Sequence, residues 1–205
     1  TNKFLFTSSG LKIPGKKNLC QTAYEVLKNK FNISPVHIHL HKLIPIGSGL
    51  GGGSSDASFV LKGLNQIFNL KLSNSELEKI SKDIGADCPF FIENKTKYVT
   101  GIGDKMKKIN LDLSNYTIKL THSNINISTT NAFSNIKAYQ QSFVTENLSD
   151  LPIESWKNKV KNDFENNVFE IYPQLKIEKE KFYSEGAIYS SMTGTGSTIY
   201  GIFKK

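Results

Sequence analysis

The chain is poor in cysteine, tryptophan and methionine, with two, one and two of them among 205 residues. Cys20 and Cys88 stand far apart in no metal-ligand spacing, which argues against a disulfide scaffold and suits a reducing cytoplasm. There is no positively flanked apolar segment and no hydrophobic run long enough to cross a bilayer, so neither secretion nor a membrane partner is expected. An initiator methionine is missing too: the sequence opens on Thr1, and a truncated front is the expectation. Repeats and low-complexity tracts are absent. Acidic residues number 18 against 26 basic ones, a net charge of +8, which favours anionic partners through long-range attraction. The basic residues stand singly or in short pairs such as Lys107-Lys108, without the aromatic-interleaved stripe of a nucleic-acid surface. The expected partner is therefore a phosphorylated small molecule, with no nucleic acid.

What is present is periodicity and glycine. A hydrophobic content of 38% supports one large or two modest domains with real cores. Val36, Ile38 and Leu40 alternate with His37, His39 and His41, the two-residue period of a strand. Ala57, Val60, Leu61, Leu64, Ile67 and Phe68 recur at helical spacing. Ser73 to Glu76 reads as a capping box for a second helix carrying Leu77, Ile80 and Ile84 and closed by Gly85. Strands are expected over Lys97 to Thr100 and Tyr116 to His122, a turn at Gly101 and Gly103, and a helix cap at Ser128. Residues Asn147 to Lys181 read as helices with solvated faces, and "AIYSSM" and "STIYGIF" as strands flanking Thr193 to Gly196. With a connection near residues 104–115, this pattern predicts two α+β domains.

Between the first strand and the first of these helices lies "GSGLGGGSSD", Gly47 to Asp56. A helix N-terminus exposes up to four unpaired N–H groups and about half a positive charge. Glycines ahead of it let a bulky anion reach the backbone without meeting Cβ atoms, and phosphate is the natural occupant. The competing reading is a flexible turn, which gains nothing from sitting tightly between strand and helix. Gly47-x-Gly49-x-x-Gly52 matches the dinucleotide fingerprint literally, but no second strand ending in an acid follows. A Walker-type loop fails as well, because Gly53 is followed by Ser54 rather than by lysine.

"IPIGSGLGGGSSDAS" resembles instead the phosphate loop of the GHMP kinase superfamily, named for galactokinase, homoserine kinase, mevalonate kinase and phosphomevalonate kinase. Its triple glycine followed by Ser-Ser-Asp-Ala is similar to the kinases of 4-diphosphocytidyl-2-C-methyl-D-erythritol. Three further stretches agree in order: "DIGADCPFF" (Asp83 to Phe91), "NDFE" (Asn162 to Glu165) and "MTGTGSTIYGIF" (Met192 to Phe203). The resemblance runs from about Asn18 in "KNLCQTA" to Phe203. It implies a two-domain GHMP fold, with a ribosomal-protein-like domain over residues 1–112, a ferredoxin-like one over 113–205, and the active site in the cleft between them. It also implies ATP and Mg²⁺ as cofactors and a monomer or homodimer. The reaction implied is transfer of the γ-phosphoryl of ATP to the 2-hydroxyl of the methylerythritol moiety, in non-mevalonate isoprenoid biosynthesis. The alternatives are another kinase of the superfamily, such as homoserine kinase, or a nucleotide-binding domain without transfer activity. The second is raised by a departure at the front, where the family carries a lysine-bearing strand and an Asp-Gly-Tyr-His stretch that are not found here.

By the same resemblance, Asp87 is the general base and Gly47, Ser48, Gly49, Leu50, Gly51, Gly52, Gly53, Ser54 and Ser55 hold the nucleotide, with Ser55 a magnesium ligand. Asn18 and Leu19 are expected near the adenine, Lys42 near the ATP phosphates or ribose, and Ala86 and Thr129 beside the substrate. Pro89 restrains the backbone of Cys88. Lys42 also reads as an ordinary solvated lysine ending a strand. Asp56 reads either as a first-turn stabiliser in the field of the helix or as an indirect metal contributor. Gly194 and Gly196 either shape a close-packed turn against the active site or form a plain hairpin. The three histidines raise a zinc reading, against which stands the polar face of a strand. Cys88 lacks an evident histidine partner and reads as a small packed residue rather than a nucleophile.

Overall fold

The structure is a computed structural model that describes residues 2–15, 17–103, 105–123, 125, 127, 132 and 145–205, with the backbone alone at 145–147. Contacts divide the chain into two units, Thr1–Ile46 with Gly51–Lys108 and Gly47–Leu50 with Ile109–Lys205. Each is a mixture of helices and strands, as the α+β expectation requires. Among the described residues no helix is long and apolar enough to cross a membrane.

In the first unit, strands β1 (Leu5–Gly10) and β2 (His37–Lys42) pair in parallel through the helix α1 (Leu19–Phe31). Helices α2 (Gly52–Ile67), α3 (Asn74–Ser81) and α4 (Cys88–Glu93) follow, then an antiparallel hairpin of β3 (Lys97–Thr100) and β4 (Lys105–Lys108). Local chemistry sets the boundaries. Asn18 opens α1 with a capping box closed by Gln21, and Asn32 ends it in the left-handed conformation. Ser73 and Glu76 form the predicted box on α3. Ala23 and Leu27 of α1, Ala57, Leu61 and Leu64 of α2, Leu77 of α3 and Ile92 of α4 close one core.

The second unit holds a three-stranded antiparallel sheet of β5 (Tyr116–Thr121), β6 (Tyr189–Met192) and β7 (Ile199–Lys204), with β7 in the middle. Helices α5 (Trp156–Lys159), α6 (Phe164–Ile171) and α7 (Pro173–Ser184) precede β6, and α7 packs on β6 and β7. Pro173 starts α7 where a missing N–H costs nothing. Val168, Leu175, Phe182, Met192 and Ile199 form the core beneath the sheet.

Several expectations need correction. The connection placed near residues 104–115 contains β4, which pairs with β3 across Tyr98↔Lys107 and Val99↔Met106. The helix expected to run to Gly85 ends at Ser81, and Ile84 lies in the turn beyond it. The cap proposed at Ser128 lies outside the described residues. The histidines of β2 form a polar ladder with β1. Thr7 Oγ1 lies 2.8 Å from His37 Nε2 and from His39 Nδ1, and Ser9 Oγ lies 2.9 Å from His39 Nε2 and from His41 Nδ1. These rings are thus spent on hydroxyls, and among the described residues no group of three or more histidines, cysteines or carboxylates is placed to hold a metal.

One ion cluster ties α3 and α4 to the hairpin. Lys97 Nζ lies 3.0 Å from both Glu78 and Glu93, and Lys108 Nζ lies 2.7 Å from Glu93. Bonds from Lys108 first and Lys97 second hold the Glu93 carboxyl well below its ordinary 4.5, at about 2. A carboxylate depressed on folding stabilises above its unfolded pKa, and this contribution fades as pH falls from about 4.5 towards 2. Glu93→Gln should therefore lower the Tm by a few degrees at pH 7. The gap from the wild type should narrow progressively below pH 4.5 in thermal unfolding followed by circular dichroism.

Candidate active site

The glycine stretch is shaped more by the protein than by room left for a ligand. Gly49 has φ +74°, and a Cβ there would stand 2.1 Å from the Thr193 carbonyl oxygen. Gly51, at φ +65°, precedes α2, and its Cβ would come within 2.8 Å of the Phe91 ring. A Cβ on Gly52 would meet Ile44 at 2.8 Å. Only Gly53 is exposed, its nearest neighbour being Leu19 Cδ1 at 3.7 Å. At Gly49, Gly51 and Gly52 the protein's own backbone or side chains thus stand where a Cβ would lie, a second demand for glycine beside the approach of an anion.

The helix itself is left uncapped. Gly51 offers no side chain, and the first intrahelical bond runs from Ser55 N to Gly51 O at 2.9 Å. The amides of Gly52, Gly53 and Ser54 have no acceptor among the described residues. They form three aligned donors at the positive end of a 16-residue helix.

Lys42 is not a solvated strand end. It is buried, and its Nζ lies 2.5 Å from Asp56 Oδ2. The ammonium also sits 3.3 Å from where a Gly52 Cβ would be, beside the first turn of α2. Asp56 falls in the second turn rather than the first, so its partner is Lys42 and not the helix terminus. Asn18 spends its side-chain oxygen on capping Cys20 N at 2.9 Å, and Leu19 follows it against Gly53.

Asp87 occupies the N-cap position of α4, exposed and without a capping bond. Pro89 at the start of that helix fixes its first turn. The Ser58 hydroxyl lies 2.8 Å from the carbonyl oxygens of both Ser54 and Cys88, so it links the first turn of α2 to the residue after Asp87. Ala86 is exposed, and its carbonyl oxygen would stand 3.1 Å from a Cβ on Gly103. Burial pushes the Cys88 thiol up, against the pull of the Ser54 and Ser58 hydroxyls. Burial first, with Asp56 next, takes the Cys20 thiol to about 12. Both are therefore packed thiols and poor nucleophiles. The Ser54 hydroxyl is turned to Cys88, whereas that of Ser55 has no partner among the described residues.

Gly47–Leu50 belongs with the second unit. Ser48 is buried, and its carbonyl oxygen accepts from Thr198 N at 3.1 Å. The Gly49 carbonyl oxygen accepts from Thr193 Oγ1 at 2.9 Å. The turn from Thr193 to Gly196 is closed by Gly196 N donating to Thr193 O at 2.9 Å. It is thus both the β6–β7 hairpin and a close-packed turn, with a Gly194 Cβ position 3.2 Å from the Gly49 oxygen. Behind it stand Asn162 and Glu165, which the sequence singled out as a matching stretch without a role. Thr129 lies outside the described residues.

Comparison with known proteins identifies the family. Residues 18–95 match the family model described as GHMP kinases N terminal domain, and residues 147–205 that described as GHMP kinases C terminal. A 4-diphosphocytidyl-2-C-methyl-D-erythritol kinase of Azobacteroides pseudotrichonymphae is 47% identical over 98% of this chain and 76% of its own length. The proteins of that name from Cytophaga hutchinsonii and Bacteroides fragilis are 46% and 43% identical, covering 97% and 98% of this chain and 75% and 74% of theirs. A crystal structure of 4-(cytidine 5'-diphospho)-2C-methyl-D-erythritol kinase superposes with a TM-score of 0.81 at 24% identity, over 98% of this chain and 73% of that one. A homoserine kinase from Cytophaga hutchinsonii reaches 0.74 at 16% identity, over 99% and 72%, a likeness of fold alone. With relatives this similar over three quarters of their length, the chain belongs to the 4-diphosphocytidyl-2-C-methyl-D-erythritol kinase family of the GHMP kinases.

Proposed function

We propose that the protein phosphorylates the 2-hydroxyl of 4-diphosphocytidyl-2-C-methyl-D-erythritol with ATP, a step of non-mevalonate isoprenoid precursor biosynthesis. The observation that carries this reading is the set of unpaired amides at Gly52, Gly53 and Ser54, with the Lys42 ammonium beside them. The chain has no arginine at all. Among the residues of this chain, phosphate charge is met by lysine, by main-chain N–H groups and by the dipole of α2. The similarity of 43–47% to relatives named for this kinase favours it over a homoserine kinase.

Bound ATP supplies the phosphoryl group, and a magnesium ion would neutralise its oxygens. The chain's own part is alignment and charge. Gly52, Gly53 and Ser54 donate to phosphate oxygens, and Ser55, whose hydroxyl has no partner among the described residues, is the side chain that would ligate the metal. Lys42 adds a charge whose orientation Asp56 fixes. Asn18 and Leu19 flank the adenine, and Ala86 with Thr129 the acceptor. Asp87 takes the proton of the attacking hydroxyl onto a carboxylate oxygen. Its exposure and its freedom from the α4 cap leave both oxygens available for that task. A cytoplasmic location belongs to the same reading and is supported by two buried free thiols.

The complete encoded protein should turn over ATP with this acceptor and not with homoserine; turnover of homoserine instead would overturn the assignment. Asp87→Asn should lower kcat by about a hundredfold or more, the range a general base contributes. Lys42→Met should raise the KM for ATP about tenfold and leave the KM for the acceptor unchanged, which initial-rate measurements at varied ATP would show.

A further inference from the structure

The Asn-Asp-Phe-Glu stretch has no part in the chemistry above, yet its first and last side chains are fully engaged. The Asn162 amide group donates to Met192 O at 2.7 Å and to Gly194 O at 2.8 Å, while Asn162 Oδ1 accepts from Phe164 N at 3.0 Å. The Glu165 carboxylate is buried. Its Oε1 accepts from Met192 N at 2.7 Å and from Ser191 Oγ at 2.9 Å, and its Oε2 takes Lys179 Nζ at 2.5 Å. A carboxylate this buried is tolerated when its oxygens are all occupied, as here.

Together these side chains grip the turn at three backbone atoms, Met192 N, Met192 O and Gly194 O. Thr193 sits between the gripped residues, and its hydroxyl holds the Gly49 carbonyl at 2.9 Å. A Thr-Gly-Thr-Gly turn with positive φ at Gly194 and Gly196 has few side chains with which to hold its own course. Within the hairpin it is closed by Thr193 N donating to Thr198 O and Gly196 N donating to Thr193 O, both at 2.9 Å, and the Asn162 and Glu165 side chains add a grip from outside. Gly49 is in backbone contact with it, since a Gly49 Cβ would overlap the Thr193 oxygen at 2.1 Å. Movement of the turn therefore passes directly into Gly47–Leu50, which belongs to the same unit.

We infer that Asn162 and Glu165 are positioning residues for ATP binding: they immobilise the Met192–Gly196 turn, which in turn fixes the carbonyl of Gly49 and the course of the phosphate loop. Lys179, paired with Glu165 Oε2 at 2.5 Å, orients that carboxylate. The inference rests on the reading that this loop holds the phosphates of ATP.

The test is initial-rate kinetics of the complete encoded protein with Asn162→Ala and Asn162→Asp. Both variants should raise the KM for ATP about tenfold, because displaced loop donors weaken phosphate binding, with the KM for the acceptor within twofold of the wild type. Asn162→Asp retains the oxygen that accepts from Phe164 N but cannot donate to two carbonyls. If Asn162 served only to start α6, the aspartate would restore the wild-type KM, and that result overturns the inference. An ATP KM within twofold of the wild type in both variants overturns it as well. Should neither variant fold, Glu165→Gln, which keeps the shape of the side chain and an acceptor for Met192 N but removes the charge paired with Lys179, is read in the same way. Wild-type protein without ATP-dependent turnover would overturn the proposed function and this inference together, whereas turnover with unaltered variants overturns the inference alone.

Discussion

Three amide groups without acceptors among the described residues, at the start of a long helix whose far end is packed in a core, are the constraint on which the site depends. A helix normally satisfies its first N–H groups with a side-chain cap, as Asn18 does for α1 and Ser73 for α3. At α2 the cap position is glycine, and nothing in the described chain replaces it. An uncapped terminus costs stability unless a ligand completes it, so the omission makes sense where an anion binds. The rest of the machinery keeps that terminus in place. Ala57, Leu61 and Leu64 anchor the helix, Ser58 links it to α4, and Lys42 brings a positive charge to its first turn.

The glycines serve this arrangement in different ways. Gly51 accepts a left-handed conformation where Phe91 leaves no room for a Cβ, and Gly49 lets the loop touch the Thr193 carbonyl. Both are demands of the protein's own packing, made at positions where a phosphate motif also wants bare backbone. Gly53 is the residue for which open surface alone is the reason. A loop so tightly fitted holds its amides in fixed directions, and this pre-organisation separates a binding site from a flexible linker.

Much of the fold was legible because its elements carry clean periods. The histidine alternation of β2, the apolar stripe of α2 and the capping box of α3 each identified an element from its own residues. Helix α1 escaped although it carries a capping box of its own; the other elements that escaped lack such marks. Lys105–Lys108 has one apolar side chain among three lysines, and it is a strand only because Lys97–Thr100 pairs with it. Four of the six residues of Leu5–Gly10 are hydroxyl residues or glycine, and its partner ladder is the histidine face of β2. Cys88–Glu93 is one short turn and a half, started by Pro89, which the sequence suggested only as a local restraint. Of the candidate site, Asp87 and the glycine loop were singled out as motifs. The Lys42–Asp56 pair was not, since it joins residues 14 apart on different elements. Asn162 and Glu165 likewise reach partners about thirty residues away, a separation that no local pattern encodes.

The account stands or falls on whether the amides of Gly52, Gly53 and Ser54 bind the phosphates of ATP. The direct measurement is the ¹H–¹⁵N spectrum of the isotope-labelled protein titrated with a non-hydrolysable ATP analogue. These three amide protons should shift downfield in saturable fashion, with ADP giving a smaller change and adenosine almost none. Saturable binding of the analogue that leaves all three amides unmoved would contradict it.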